Sequence, residues 1–355
     1  MTEINGNKDA FPYWQKMCTF LTRRCNTRCR GCNVINYQSA YEMTTAEWKK
    51  AFDIAKFYGV GFIILFGGEP TLRNDLPDLI KYLNKINMPH TVITNSIRLL
   101  QDKEFYKKFI ESKPYGVSCS LNEISHGKAR FGDEYKSEKG YQLLQQLKKD
   151  LPSCDLVANM AITRDNIKRL PTIVQWLTSH EIWVILTFIH LSNPHHATYW
   201  WYRGPEDKDN IKLKLTKEDI PTIRKIASWF KENYDSLLLH NSKDYFDMWD
   251  NIAITQDWKC TRYTNPNINP DGLIMPCIDR LLDVPINILD LPEKEKEFQI
   301  AFDRSIENCP GCCWDHMRET NMYAEKDMVE EAKILLAHKT GKLLKIQQTL
   351  NRNKQ

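Results

Sequence analysis

Short apolar runs rich in β-branched residues alternate along the chain with longer segments whose apolar residues recur at helical spacing. Period-2 patterning predicts strands over residues 17–22, 62–66, 90–94, 116–121, 156–163 and 182–190. Between them, 3.6-residue patterning predicts helices near 45–58, 76–86, 103–111, 138–149 and 167–179, with a sixth near 217–233. Thr44 with Glu47, and Thr216 with Asp219, have the spacing of capping boxes at helix starts. Six strand-then-helix units in series predict a parallel α/β sheet with right-handed crossovers. Such sheets bind ligands at the carboxyl ends of their strands.

After about residue 235 the pattern changes. Residues 251–314 are rich in Pro, Asn, Asp and Cys, with short strand signals such as 273–275. This stretch reads as a small loop-rich domain that needs a metal staple more than a hydrophobic core. From Met322 a helix-like segment runs into a polar tail. The expected organisation is a core domain over 1–235, a cysteine-rich domain over 236–322, and a C-terminal helix and tail over 323–355. No internal repeat or low-complexity tract is present.

Composition narrows the classes. The chain has 355 residues, 42% of them hydrophobic, and a formal net charge of +4. That length fits about two domains. The charge is too mild for a nucleic-acid platform, which concentrates basic residues in one patch. No run approaches the ~18 apolar residues of a membrane-spanning helix. Residues 1–15 are polar, without the apolar core of a signal peptide, so a cytoplasmic protein with no membrane partner is expected.

Of the eleven cysteines, eight fall into two groups: 25, 29 and 32, then 260, 277, 309, 312 and 313. Cys18, Cys119 and Cys154 lie in apolar strand-like runs instead. In a cytosolic chain, clustered cysteines bind metal or act in catalysis more often than they form disulfides. The first group follows the first strand with spacing C-x3-C-x2-C. Three thiolates on one loop leave one metal coordination position open, as a catalytic centre requires. Zinc with a fourth ligand from elsewhere is the alternative. The second strand ends in Gly67-Gly68-Glu69-Pro70. Glycines allow close approach of a backbone to a ligand, and a carboxylate beside them can accept from an ammonium group. The plain alternative is a Gly-Pro turn.

The C-x3-C-x2-C loop after strand one, together with Gly-Gly-Glu-Pro after strand two, resembles the radical S-adenosylmethionine (SAM) superfamily over residues 17–190. The resemblance implies a partial (β/α)6 barrel. It implies that Cys25, Cys29 and Cys32 hold a [4Fe-4S] cluster whose fourth iron is chelated by SAM. Gly67, Gly68, Glu69 and Pro70 should then flank the SAM ammonium. Thr94 and Asn95 close strand three. Ser118-Cys119-Ser120-Leu121-Asn122 closes strand four and is similar to the family's Ser-Leu-Asp pattern, with Asn122 where Asp is frequent. Ser120 and Asn122 are expected to face SAM, while alternation turns Cys119 to the opposite face. His126 and Arg130 follow as in other members, with Arg130 expected at the cofactor. Asn159 and Thr163 on strand five are expected to reach SAM or substrate. One departure is Gly31, where many members carry an aromatic residue before the third cysteine.

In the second group, Cys260 precedes Asn267-Ile268-Asn269-Pro270-Asp271-Gly272 and Cys277 follows it, with Asp-Gly signalling a hairpin. Cys309-Pro310-Gly311-Cys312 closes the set. Zinc ribbons are built this way too. Residues 257–316 resemble the extension called twitch, the shorter relative of SPASM. The resemblance implies a small cysteine-rich α+β domain with one auxiliary [4Fe-4S] cluster on Cys260, Cys277, Cys309 and Cys312; Cys313 competes with Cys312.

Residues 191–204, with His195, His196, Tyr199, Trp200, Trp201 and Tyr202, read either as a substrate pocket at the barrel mouth or as an aromatic packing loop. The expected activity is radical SAM chemistry: hydrogen abstraction from an unactivated carbon, leading to dehydrogenation or cross-linking of a small molecule or peptide. The protein would then be an oxidoreductase served by a reductant such as flavodoxin or ferredoxin. Only 24 residues precede Cys25, which favours a small molecule. An epimerase with Cys313 as hydrogen donor is the second reading. A non-catalytic zinc-binding interaction module is the third.

Overall fold

The computed structural model describes residues 4, 6–7, 10–11, 14–29, 32–36, 41–122, 134–189, 208–255, 258–260, 265–278, 280, 282–309 and 311. Its centre is a sheet of eight strands: β1 (Lys16–Thr22), β2 (Phe62–Gly67), β3 (His90–Thr94), β4 (Gly116–Ser120), β5 (Asp155–Ile162), β6 (Trp183–Phe188), β7 (Asn267–Ile268) and β8 (Ile274–Met275). Their order is β6-β5-β4-β3-β2-β1-β7-β8. Neighbours from β6 to β7 run parallel, and β7 pairs antiparallel with β8. Each of the six expected strands is present, with ends shifted by at most two residues.

The connecting helices are α1 (Thr45–Phe57), α2 (Leu76–Lys85), α3 (Ile97–Gln101), α4 (Lys103–Glu111), α5 (Glu134–Asp150), α6 (Leu170–Ser179), α7 (Lys208–Leu213) and α8 (Ile220–Asn233), followed by α9 (Glu295–Glu307). Thr44 caps α1, with its hydroxyl accepting from Glu47 N–H and the Glu47 carboxylate accepting from Thr44 N–H at 2.8 Å. Thr216 and Asp219 form the second capping box. Three of these helices lie outside the predicted set: the short α3, the short α7, and α9, which stands where the sequence reads as loop. The buried face of α9, Phe298, Ala301, Phe302 and Ser305, has helical spacing, but the surrounding Pro and Cys dominate the regional pattern.

The sheet has two unlike faces. Met17, Leu21, Ile63, Leu65, Val92, Val117, Cys119, Ala158 and Met160 pack against the helices in one large core. Cys119 therefore lies on the helix side, and burial pushes its thiol up to about 12. On the inner face, Cys18, Phe20 and Phe66 pack with Met275 and Ile278 from the β7–β8 hairpin and its exit. The hairpin thus fills the inside of the half-barrel at its β1–β2 side. Along β4–β6 the inner positions Ser120, Asn159, Ala161, Ile185 and Thr187 stay half-buried. The outer edge of β6 is covered by residues 238–241: Val184 N–H donates to Leu238 O, and the Asn241 side chain bonds both Leu186 N–H and Leu186 O.

Candidate active site

The site is built where β1, β2 and β3 end. The chain leaves β1 at Thr22 and runs through Arg23 and Arg24 into Cys25. Gly68 N–H donates to Thr22 O at 2.7 Å, and Glu69 N–H donates to Arg24 O at 2.8 Å. A Cβ on Gly67 would stand 2.3 Å from Thr22 O, and one on Gly68 would stand 2.3 Å from Arg24 O. Gly67 also has φ 144°, a conformation open to glycine. The two glycines therefore let the end of β2 press directly on the backbone that carries the first cysteine.

Glu69 is buried, and both oxygens of its carboxylate accept from the protein. Oε1 accepts from Thr71 N–H at 3.1 Å, Thr71 Oγ1 at 2.7 Å and Thr94 Oγ1 at 2.8 Å, while Oε2 accepts from Asn95 N–H at 2.7 Å. Burial pushes this carboxyl above its usual range, against the pull of those hydrogen bonds. Pro70 is buried at the start of the 3-10 turn Pro70–Leu72 that Glu69 caps. Asn95 Nδ2 donates to Asn26 Oδ1 at 2.7 Å, which ties the cysteine loop to the end of β3.

Within the loop, Thr27 Oγ1 lies 3.1 Å from Cys25 Sγ and 3.5 Å from Cys29 Sγ. Arg28 Nη1 donates to Cys25 O and Thr27 O. Cys32 N–H donates to Cys29 O at 3.2 Å. Burial raises the Cys25 thiol, with the Thr27 hydrogen bonds acting in the opposite direction. Cys29 packs against Ile189, beyond β6, and Leu213 at the end of α7. Below the loop, Arg73 donates to Leu21 O and Met43 O and pairs with Asp75 at 2.7 Å. Glu42 accepts from Thr22 Oγ1 and faces Arg24. Arg23 is buried, and its Nη2 donates to Asn269 Oδ1 of the β7–β8 hairpin at 3.0 Å.

The residues expected at a cofactor divide by what their side chains do. Ser120 and Asn159 are half-buried on the inner face. Thr94 and Asn95 are engaged with Glu69. Asn122 Oδ1 accepts from Ala161 N–H at 2.9 Å, which joins the exit of β4 to β5, and Thr163 donates to Asn166 Oδ1 within the turn after β5. Arg130, His126, Gly31 and residues 191–204 lie outside the described residues.

Cys25, Cys29 and Cys32 are half-buried on one loop, and thiolates are the protein ligands of iron–sulfur clusters. The donor set therefore fits a cluster with one open iron. Among the described residues, no three His, Cys, Asp or Glu side chains already stand together as a metal-binding group. In the second group Cys260, Cys277 and Cys309 are all buried. Arg280 bridges two of their segments: its N–H donates to Cys277 O, its Nε to Ser305 Oγ, and its Nη1 to Asn308 O beside Cys309. Cys312, Cys313 and the segment from 322 onward lie outside the described residues. Thr27, Asn26 and the Arg23–Asn269 contact were not singled out by sequence pattern. Thr27 alone carried a signal, a hydroxyl between two cysteines.

A mostly parallel half-barrel with a three-cysteine loop on β1 and a glycine-glycine-glutamate turn on β2 defines a class of enzyme. Residues 19–177, somewhat under half of the chain, match the Radical SAM superfamily model, and this stretch is a radical SAM domain. The family implies a [4Fe-4S] cluster and SAM. Fe-coproporphyrin III synthase of Methanosarcina barkeri is 30% identical over 178 residues, 48% of this chain and 42% of that protein. The chain thus matches less than half of that relative. Probable GTP 3',8-cyclase of Methanothermobacter thermautotrophicus is 22% identical over 277 residues, 74% of this chain and 85% of the relative. Among solved structures, Streptococcus suis SuiB superposes with a TM-score of 0.61 at 17% identity, covering 80% of this chain and 65% of SuiB. The structure of anSMEcpe with bound AdoMet and a peptide gives 0.57 at 16% identity, covering 83% of each chain. These similarities establish the fold. Among the described residues no helix is long and apolar enough to cross a membrane.

Proposed function

We propose that this chain reductively cleaves SAM and uses the resulting radical for oxidative modification, by dehydrogenation or cross-linking, of a small molecule or peptide. The observation that carries the reading is the loop of Cys25, Cys29 and Cys32, seated by Gly67 and Gly68 on the ends of β1 and β2. Cys25, Cys29 and Cys32 would hold the first cluster; Cys260, Cys277, Cys309 and Cys312 would hold the second. When bound, the first cluster supplies the electron that cleaves SAM to methionine and a 5′-deoxyadenosyl radical, and the second supplies an acceptor for the electron that substrate oxidation releases.

The chain's own residues orient and enclose. The backbone at Gly68 and Glu69 anchors the exit of β1, and the Glu69 carboxylate holds the ends of β2 and β3 together. Ser120 and Asn159 offer a hydroxyl and an amide on the inner wall. Ile189 and Leu213 screen the Cys29 side of the loop from water. A peptide is one substrate class within this reading, because structurally similar SuiB has been solved bound to precursor peptide SuiA. A one-electron reductant of the flavodoxin or ferredoxin kind would be the partner.

Metal analysis tests both sites. Anaerobically reconstituted protein should hold about eight irons, from two four-iron clusters, and the Cys25→Ala, Cys29→Ala, Cys32→Ala triple variant about four. Zinc in place of iron at the C-terminal site would contradict the auxiliary cluster. A folded Cys277→Ala, Cys309→Ala variant should still cleave SAM but form no oxidised product; full product from it would remove the electron-acceptor role.

A further inference from the structure

We propose that Asn26 and Asn95 form a positioning clasp that sets the cysteine loop against the end of β3. Its importance for catalysis rests on the function proposed above, but the clasp itself is a property of the protein chain. Asn95 is 4% exposed, and its N–H, Oδ1 and Nδ2 each make a hydrogen bond. Its N–H donates to Glu69 Oε2 at 2.7 Å. Its Oδ1 accepts from Ile97 N–H at 3.1 Å, which fixes which end of the amide is oxygen. Nδ2 is thereby aimed in one direction, and it meets Asn26 Oδ1 at 2.7 Å.

Asn26 follows Cys25 directly and is itself exposed. The ties at Thr22 and Arg24 hold the chain before Cys25, and the Arg28 contacts are internal to the loop. The Asn26–Asn95 bond is what links the turn after Cys25 to a strand two places along the sheet. Through Asn95 it also reaches the carboxylate that joins β2 to β3. One residue, Asn95, therefore connects the cysteine loop through its side-chain amide and the Gly-Gly-Glu turn through its backbone N–H to the end of β3. This is the kind of supporting contact that keeps ligands in place before a metal arrives.

The test uses cluster-free full-length protein and the rate of iodoacetamide alkylation at Cys25, read by mass spectrometry. Asn26→Ala and Asn95→Ala should each accelerate labelling about three- to tenfold, the effect of losing one hydrogen bond from a local opening equilibrium. Asn26→Asp keeps the acceptor and should label like wild type. The double alanine variant should be no faster than Asn95→Ala alone, because the contact that Asn26→Ala removes is already lost there. Buried Cys119 is the folding control and should stay unlabelled. If Asn95→Ala exposes Cys119, Asn26→Ala still decides, since its side chain is exposed. Unchanged labelling in Asn26→Ala, or effects that multiply in the double variant, would overturn the clasp. With clusters loaded, the same alanine variants should lose iron to a chelator faster than wild type. Wild-type protein that takes up no iron would contradict the proposed function while leaving the alkylation result to judge the clasp.

Discussion

Glu69 shows how a residue legible as chemistry also carries structure in three dimensions. In sequence it is a carboxylate beside two glycines, suited to an ammonium group. In the fold its oxygens accept from Thr71, Thr94 and Asn95, and the last two stand 25 and 26 positions away. Nothing local announces those donors. Glu69→Gln would turn an amide N–H₂ toward converging donors, and each stranded donor costs about 1–3 kcal/mol. Its denaturant midpoint should fall accordingly. Unchanged stability would contradict that structural role, and a tenfold loss of SAM affinity beside it would support the expected contact with the SAM ammonium. His90 gives a pH-dependent case. It is buried, with Nδ1–H donating to Met88 O and Nε2 accepting from Tyr115 N–H. Burial lowers its basicity below the usual 6.5, against the Met88 hydrogen bond. Below that pH the unfolded chain takes up a proton that the folded chain refuses. Stability from this group is complete above 6.5 and falls by up to about 1.4 kcal/mol per pH unit on acidification toward the folded value. His90→Gln should flatten that part of the stability–pH curve; an unaltered slope would contradict it.

At the scale of elements, six strands and most helices were legible because each pattern is decided by burial of one face. The strands alternate between the helix-side core and the inner face, so their period survives in the sequence. The short α3 follows β3 without a loop. It begins after Ser96, held at φ 72°, a backbone state that sequence pattern does not reveal. The Gly-Gly turn was legible as close approach, but its neighbour is backbone at Thr22 and Arg24. Gly68→Ala should therefore disrupt the β1–β2 exit and abolish iron loading, because a carbonyl group cannot move aside as a side chain can. Gly59, at φ 85° with open space where a methyl group would stand, is the contrast. Gly59→Ala should cost about 1 kcal/mol of strain and leave iron loading intact. Equal effects of the two substitutions on iron content would mean that contact at Gly68 is unimportant.

At the scale of the whole molecule, backbone bonding crosses residue 235, where the sequence pattern changes. Cys18 N–H donates to Pro266 O, Met43 N–H to Pro270 O, and β7 pairs with β1. Arg23 reaches Asn269, and Tyr58 reaches Glu295 on α9. The compositional shift was visible, but pairing between residues some 250 positions apart leaves no periodic trace. A chain ending at residue 235 would bare the β1 edge and the inner apolar cluster of Cys18, Phe20 and Phe66. It should be insoluble or unable to retain iron; a soluble, iron-loaded fragment would show that the hairpin is dispensable. The central claim concerns the loop on β1, and SAM cleavage measures it most directly. Anaerobically reconstituted protein with a strong reductant should convert SAM to 5′-deoxyadenosine, and the Cys25→Ala, Cys29→Ala, Cys32→Ala variant should produce none. Turnover that survives in the triple variant would contradict the assignment of those three cysteines as the catalytic centre.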